Sequence, residues 1–128
     1  MTSWVTGVRA MTLFVEDLAA TKQFYRQVFD VPLLVEDEVS AAFDFGNVIV
    51  NLLAVSEGPE LIEPAPVAAP EGGSRFQLTI TVDDVDAACA ELASRGVELL
   101  NGPLDRPWGI RTAAFRDPAG HVWEIATW

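Results

Sequence analysis

Hydrophobic and polar residues alternate along the first part of the chain. Around residues 8–15, Met11, Leu13 and Val15 fall on one side of an extended chain, and the residues between them fall on the other. A period of two residues is typical of a β-strand with two different faces. We therefore predict a strand here. A helix should follow from Asp17, which is a good helix N-cap residue before a run with helical spacing.

The same succession of patterns recurs about half-way along the chain. Val15-Glu16-Asp17-Leu18 leads into the first predicted helix, and Val82-Asp83-Asp84-Val85 leads into a second helix 67 residues later. The second helix also follows an alternating run, Gln77–Thr81. A repeat of this length predicts two similar structural modules. Each functional position in one half therefore predicts a partner position in the other half.

Turn signals and prolines delimit the remaining elements. Pro32 ends the first helix, Gly46-Asn47 predicts a hairpin turn, and Asp117-Pro118-Ala119-Gly120 predicts another turn. Arg95-Gly96 gives the second helix a basic last turn and a glycine after its end. The predicted strands beyond the first cover residues 33–38, 41–46, 48–55, 75–82, 97–101, 110–116 and 121–127, and the second helix covers 84–95.

The predicted order of elements is βαβββ, given twice. We therefore predict an α+β fold with mostly antiparallel sheets, organised as one domain over residues 1–128. Module one covers about residues 1–55 and module two about residues 75–128. The intervening linker, about residues 56–74, is rich in Gly, Pro, Ala and Glu and is predicted to be a surface loop.

Composition restricts the range of partners. The formal net charge of −11 would repel a nucleic-acid backbone and anionic lipid, so we expect neither a nucleic-acid nor a membrane partner. The single cysteine, Cys89, excludes an internal disulfide and fits a reducing compartment; its helical spacing with Val85 and Leu92 predicts a core position. No apolar run approaches the roughly 18 residues of a membrane span, and no secretory signal is recognisable. We expect a cytoplasmic protein.

Several motifs in this order resemble the vicinal oxygen chelate superfamily, which includes glyoxalase I, bleomycin-resistance proteins, fosfomycin-resistance enzymes and extradiol dioxygenases. The resemblance covers essentially the whole chain. It implies paired βαβββ modules whose curled sheets surround a central cleft, commonly in a homodimer. The motifs that carry it are the two helix-leading segments above, Phe24-Tyr25, Trp108-Gly109-Ile110-Arg111 and Asp117-Pro118-Ala119-Gly120-His121-Val122-Trp123-Glu124.

The resemblance also identifies four positions where metal-dependent members carry ligands. They fall on Ala10, Asn51, Gln77 and Glu124, and the internal repeat pairs Ala10 with Gln77 and Asn51 with Glu124. Ala10 has no donor atom, and neutral amides bind transition metals poorly. We therefore expect no cofactor. If a divalent metal does bind, Glu124, Gln77 and Asn51 would have to hold it.

Glu124 is the candidate catalytic residue and also a candidate ligand-binding residue. A carboxylate between Trp123 and Ile125 is costly to bury unless it is paired or hydrated. It either accepts a hydrogen bond from a ligand or acts as a general base, or it bonds to Gln77, Asn51 or an arginine. Asn51 and Gln77 each offer a donor and an acceptor, so they either orient a ligand or bond to one another.

Trp108 and Arg111 complete the predicted ligand-binding set. Trp108 lies in a predicted loop, where a tryptophan requires a ligand or a partner surface. Arg111 either pairs with Glu124, the interpretation we favour, or binds a carboxylate or phosphonate of a substrate. The only histidine, His121, is predicted at the edge of a turn, with no accompanying nucleophile motif.

Three functions are compatible with these residues. The first is metal-independent binding or sequestration of a small aromatic or cationic molecule by a glyoxalase/bleomycin-resistance-like protein. The second is a metal-dependent lyase, isomerase or dioxygenase related to glyoxalase I, with Glu124 as base or ligand. The third is an interaction module without a small ligand. We favour the first, because polar and aromatic side chains remain while the metal ligands are lost.

Overall fold

The computed structural model describes residues 4–127 as eight strands and three α-helices. The chain separates into two compact units at Val67/Ala68, and each unit contains one module. Module one contains β1 (Ala10–Val15), α1 (Leu18–Val28), β2 (Leu33–Glu36), β3 (Ser40–Asp44) and β4 (Ile49–Ala54), and α2 (Gly58–Ile62) follows it. Module two contains β5 (Gln77–Thr81), α3 (Val85–Ser94), β6 (Leu99–Asp105), β7 (Arg111–Arg116) and β8 (Val122–Ala126).

Each module forms one four-stranded sheet. The strand orders are β1-β4-β3-β2 and β5-β8-β7-β6. The pairs β1–β4 and β5–β8 are parallel, and the other neighbouring strands are antiparallel. The sheets are curled and do not close. These findings confirm the predicted α+β fold of two βαβββ modules.

The two sheets also share their strand register. In module one Thr12 pairs with Asn51, and in module two Thr79 pairs with Glu124. Thr12 and Thr79 are 67 residues apart, which is the offset of the sequence repeat. Asn51 and Glu124 therefore occupy equivalent central positions in their sheets.

Aspartate side chains begin both long helices. Asp17 Oδ1 accepts a hydrogen bond from the Ala20 N–H at 3.0 Å, and Asp84 Oδ1 accepts one from the Ala87 N–H at 3.0 Å. Such N-caps satisfy backbone donors that have no partner within the helix. The predicted start of each helix is thus confirmed within one residue.

One face of each sheet packs against its helix. In module one, Tyr25 of α1 is fully buried, and its ring centroid lies 5.6 Å from that of Phe43 on β3. In module two, α3 contacts β6, β7 and β8, and it buries Val85, Cys89 and Leu92. Cys89 is buried, so this cysteine belongs to the core as predicted, and its burial raises the pKa of the thiol.

Two features differ from the sequence prediction. β6 continues past residue 101 to Asp105, because Gly102 adopts φ +86° in a bulge and pairing resumes at Leu104. The linker, predicted as a surface loop, contains α2 and two 3-10 turns, Val55–Glu57 and Pro70–Gly72. Pro59 lies in the first turn of α2, where its missing N–H costs no helical hydrogen bond.

Within residues 4–127, no helix has the length and apolar character needed to cross a membrane.

Candidate functional site

Among the described residues, α3 is the only α-helix of module two, and it packs against one face of the module's sheet. Ala113, Phe115 and Ile125 are buried on the side of α3. Because successive strand residues point to opposite sides of a sheet, the residues between them lie on the other side. We call this side the helix-free face. It is defined by Gln77, Thr79, Asn101, Thr112, Ala114 and Glu124.

Glu124 lies in the middle of the helix-free face. Its neighbours across the sheet are Thr79 on β5 and Ala114 on β7. The Thr79 hydroxyl donates a hydrogen bond to Glu124 Oε1 at 3.1 Å, and the Glu124 side chain is half-buried. No lysine or arginine in the described part of the chain forms an ion pair with it. Most of the acceptor capacity of this carboxylate therefore remains available to a ligand.

A tight turn fixes the position of β8. The Gly120 N–H donates to the Asp117 carbonyl at 3.0 Å, and the buried Asp117 carboxylate accepts from the Ala119 and His121 N–H groups at 2.9 Å each. His121 lies at the edge of this turn, as predicted, with its ring centroid 5.8 Å from that of Phe76. The alternation that starts after the turn places Glu124 on the helix-free face.

The two predicted amides occupy different modules. Gln77 is exposed, lies two residues before Thr79 on β5, and so shares the helix-free face with Glu124. Asn51 is half-buried between Thr12 and Ala42 in the sheet of module one. The structure thus brings Gln77 and Glu124 to one sheet face and places Asn51 at the repeat-related position of the other sheet.

Arg111 does not pair with Glu124, so the partner favoured from the sequence is wrong. Its Nε and Nη2 atoms donate to the two carboxylate oxygens of Asp86 on α3 at 3.0 Å each, and Nη1 donates to Asp105 at 3.1 Å. On β7 it alternates with Ala113 and Phe115, on the helix-bearing side of the sheet. The sequence could not show that α3 supplies a carboxylate on that side.

Hydrogen bonds close the hairpin loop between β6 and β7. At its base, Arg111 at the start of β7 donates to Asp105 at the end of β6. The Arg106 N–H donates to the Ile110 carbonyl at 2.7 Å, and the Gly109 N–H donates to the Arg106 carbonyl at 3.0 Å. Together these bonds close a tight turn. Trp108 lies at the tip of this turn and is 69 % exposed. A large aromatic ring is thereby presented to solvent on a well-defined backbone.

Arg106 belongs to the site, and the sequence analysis missed it. Its Nε donates to Thr112 Oγ1 at 2.8 Å, and its Nη2 donates to Asn101 Oδ1 at 3.2 Å. Both acceptors are on the helix-free face. Its Cζ lies 6.0 Å from the Trp108 ring centroid. The only signal in the sequence was an arginine two residues before a loop tryptophan, which does not reveal the direction of its side chain.

A surface pocket of about 280 Å³ lies in module one, apart from the predicted site residues. The turn between β3 and β4 forms one of its walls. Its lining is partly charged and partly apolar, and Leu34 contributes an exposed side chain. The lining residues are Arg9, Leu34, Asp44, Gly46, Asn47, Val48 and Ile49.

The donor set at the four repeat-related positions does not fit a transition-metal centre. Ala10 supplies no donor, Asn51 and Gln77 supply only amides, and Glu124 supplies the single carboxylate. Among residues 4–127, no three His, Cys, Asp or Glu side chains form a group able to hold a metal. The side-chain chemistry of the helix-free face instead provides hydrogen bonding, charge and aromatic contact.

Comparison with known proteins identifies the class. The sequence profile of the glyoxalase/bleomycin resistance protein/dioxygenase superfamily matches residues 7–125, so the chain belongs to that superfamily. A curated relative is the metallothiol transferase FosB of Bacillus licheniformis. It is 26% identical over 123 residues, which cover 96% of this chain and 76% of FosB.

Solved structures agree with this assignment. A glyoxalase/bleomycin resistance protein/dioxygenase from Nocardioides superposes with a TM-score of 0.86 at 26% identity, covering 99% of this chain and 86% of that protein. TnmS3, an antibiotic binding protein from Streptomyces sp. CB03234, superposes with a TM-score of 0.74 at 26% identity, covering 98% of each chain. Proteins similar to this chain thus include one named as a metallothiol transferase and one described as an antibiotic binding protein.

Proposed function

We propose that this protein binds or sequesters a small aromatic or cationic molecule without a metal, and that the helix-free face of module two is the binding surface. The observation that carries the proposal is the half-buried Glu124 carboxylate, whose polar partner is the neutral Thr79 hydroxyl. A charged group in such a place is costly to desolvate without a counter-charge or a donor. A ligand that supplies one would offset that cost.

Each predicted residue of module two has a role in this proposal. Glu124 accepts a hydrogen bond or pairs with a positive group, and Gln77 orients the ligand through its amide. Trp108 covers an aromatic ring by stacking. Asn51 is the corresponding amide of module one. Arg111 acts as a positioning residue, because its bonds to Asp86 and Asp105 hold the loop that carries Trp108.

A relative with this architecture supports a binding role. TnmS3 is described as an antibiotic binding protein. The donor set described above supports metal independence in this chain. We further propose that the protein is a cytoplasmic homodimer. We expect it to have no nucleic-acid or membrane partner, because the net charge of −11 opposes binding to anionic surfaces.

A titration followed by two-dimensional ¹H–¹⁵N NMR tests this proposal. Naphthalene-2-carboxamide and naphthalen-2-ylmethylammonium serve as a neutral and a cationic aromatic probe. Fragments of this size reach about −0.3 kcal/mol per non-hydrogen atom, so we expect dissociation constants on the order of 1 mM. Shifts should concentrate in β5, β7, β8 and the 106–110 loop.

Trp108→Ala and Trp4→Ala form a matched pair for this titration. Both tryptophans are exposed, at 69 % and 91 %, and only Trp108 lies on the β6–β7 loop. Trp108→Ala should weaken both probes about fivefold, as expected for a lost aromatic contact. Trp4→Ala should leave both affinities unchanged. Equal effects of the two substitutions would contradict the proposed surface.

A metal-dependent lyase, isomerase or dioxygenase is the second candidate function. The observation in its favour is the relative named metallothiol transferase FosB. Glu124 is the residue on which such a reaction would depend. Turnover of any substrate of these reaction classes by the purified protein should then fall at least about a hundredfold in Glu124→Gln, as for a lost acid–base group. Unchanged turnover in that variant would exclude this role of Glu124.

A further inference from the structure

Arg106 is an arginine without a carboxylate partner in a strongly acidic protein. The chain has 19 acidic and 8 basic residues. Two of the five arginines of module two form ion pairs, Arg95 with Glu91 and Arg111 with Asp86 and Asp105, whereas Arg75, Arg106 and Arg116 form none within the described residues. Within the described residues, no carboxylate lies at ion-pair distance from Arg106; its side-chain acceptors are the neutral oxygens of Thr112 and Asn101.

These two acceptors fix the guanidinium in position over the helix-free face. Thr112 is fully buried, so the bond to its hydroxyl anchors Arg106 at the sheet itself. The Gly102 bulge in β6 permits the hydrogen bond from Arg106 to Asn101. It puts Asn101 opposite Ala114, on the same face of the sheet as Thr112. The loop hydrogen bonds fix the backbone of Arg106 at both its N–H and its carbonyl. Little conformational freedom remains to be lost when a ligand binds.

The guanidinium still has donors to offer. An arginine has five N–H groups, and the two protein bonds use one on Nε and one on Nη2. The remaining N–H groups include both on Nη1, and this edge suits a planar or tetrahedral oxyanion. A purely structural brace between Thr112 and Asn101 would not require a charge. A half-buried positive charge with neutral partners is instead stabilised by an incoming anion.

We propose that Arg106 is a specificity-determining residue that binds an oxyanion, carboxylate or phosphonate, on the ligand, so that the site selects aromatic acids. This inference rests on the proposed function and selects among its possible ligands. The oxyanion binds Arg106, and the ring contacts Trp108, whose centroid lies 6.0 Å from the guanidinium carbon. Ala114 pairs with both Asn101 and Glu124. Asn101 on β6 and Glu124 on β8 therefore lie on opposite sides of β7. The acid group bound by Arg106 lies on the β6 side, away from the Glu124 carboxylate.

Three probes that share one ring test the inference by the same NMR titration. They are naphthalene-2-carboxylate, naphthalene-2-carboxamide and naphthalen-2-ylmethylammonium. We expect the carboxylate to bind about tenfold more tightly than the carboxamide, which is typical of a charge-assisted hydrogen bond. Arg106→Gln should abolish the preference for the carboxylate over the carboxamide, and Arg106→Lys should retain part of that preference because the charge remains without the planar fork of donors.

Arg95→Gln is the matched control. It removes the same charge from the C-terminal end of α3, on the other side of the sheet, and should keep the tenfold preference. A well-dispersed spectrum of each variant shows that it is folded.

Three results would overturn the inference. If the wild type binds carboxylate and carboxamide equally, or the ammonium most tightly, Arg106 does not select an anion although the proposed binding function stands. If none of the three probes binds, the proposed function fails together with the inference. A preference lost equally in Arg106→Gln and Arg95→Gln would show a long-range charge effect and would also contradict a specific role for Arg106.

Discussion

At the scale of single residues, Glu124 and Arg111 owe their side-chain partners to tertiary packing. The repeat placed Asn51 and Glu124 at equivalent sites, and the strand registers confirm that equivalence. The partner of Glu124 is Thr79, which the sequence did not indicate, and Arg111 pairs elsewhere. Position along a strand follows from a period of two residues. A side-chain partner depends on which strand or helix lies beside it, and that is set by tertiary packing.

Replacing Glu124 tests its charge directly. Glu124→Gln retains the size of the side chain and removes the negative charge, so naphthalen-2-ylmethylammonium should bind about fivefold more weakly, as for a partly exposed ion pair of about 1 kcal/mol. Binding of the neutral carboxamide should change by less than about twofold. NMR titration measures both. Glu98→Gln, at an exposed position before β6, is the control and should change neither affinity.

Alanine substitutions at Gly102 and Gly96 distinguish the cost of backbone strain from the cost of steric overlap. Both have positive φ, +86° and +83°, but a Cβ at Gly102 would lie 2.5 Å from the Thr112 carbonyl oxygen, whereas nothing lies within 4 Å at Gly96. Gly96→Ala should lower the free energy of unfolding by about 1 kcal/mol from backbone conformation alone. Gly102→Ala should lower it by about 3 kcal/mol, because backbone atoms must also move. Urea denaturation measures both, and equal losses would contradict the close approach of β6 and β7.

At the scale of secondary-structure elements, caps and turns were predictable and the β6–β7 hairpin was not. Asp17 and Asp84 begin their helices as the sequence indicated. Gly102-Pro103 resembles a strand terminator, yet a bulge lets β6 continue beyond it. That continuation places the 106–110 loop where Arg106 reaches the helix-free face. Arg106 was therefore not predicted as a site residue because the end of β6 was predicted too early.

The contact between Arg111 and Asp86 predicts a pH dependence of stability. The hydrogen bonds from Arg111 hold the pKa of the Asp86 carboxyl below its ordinary value. A group with a lowered folded-state pKa stabilises the fold above its unfolded pKa, about 3.9. This contribution disappears as the pH falls through the folded-state pKa.

Below about pH 4, the free energy of unfolding of the Asp86→Asn variant should therefore decline less than that of the wild type. Urea denaturation of both proteins between about pH 7 and pH 3 measures it. Asp83→Asn, which removes an exposed carboxylate without touching Arg111, should follow the wild-type curve. Identical curves for Asp86→Asn and the wild type would show that this ion pair contributes nothing.

At the scale of the whole molecule, the internal repeat made the fold accessible from sequence. The two sheets have matching strand orders and registers, and equivalent residues of β1 and β5 are 67 residues apart, which is the offset of the sequence repeat. Family membership follows from the same residues, since the superfamily profile matches residues 7–125. Ligand identity does not follow, because proteins similar to this chain are described with different functions, FosB as a metallothiol transferase and TnmS3 as an antibiotic binding protein.

The proposed homodimer is testable by sedimentation. Large apolar side chains are exposed at Trp4, Val8 and Val35, by 91 %, 68 % and 65 %. Burial of such residues favours association at about 25 cal/mol per Å² of apolar surface removed from water. We expect analytical ultracentrifugation to give a dimer of the 13.9 kDa chain. A monomer at every concentration would contradict the proposal.

The most direct test of metal-independent binding is one NMR titration of chelator-treated protein with naphthalene-2-carboxamide, after elemental analysis has shown that no divalent metal remains. We expect saturable shifts in β5, β7, β8 and the 106–110 loop. Binding that appears only after a divalent metal is restored, or shifts confined to other elements, would contradict it.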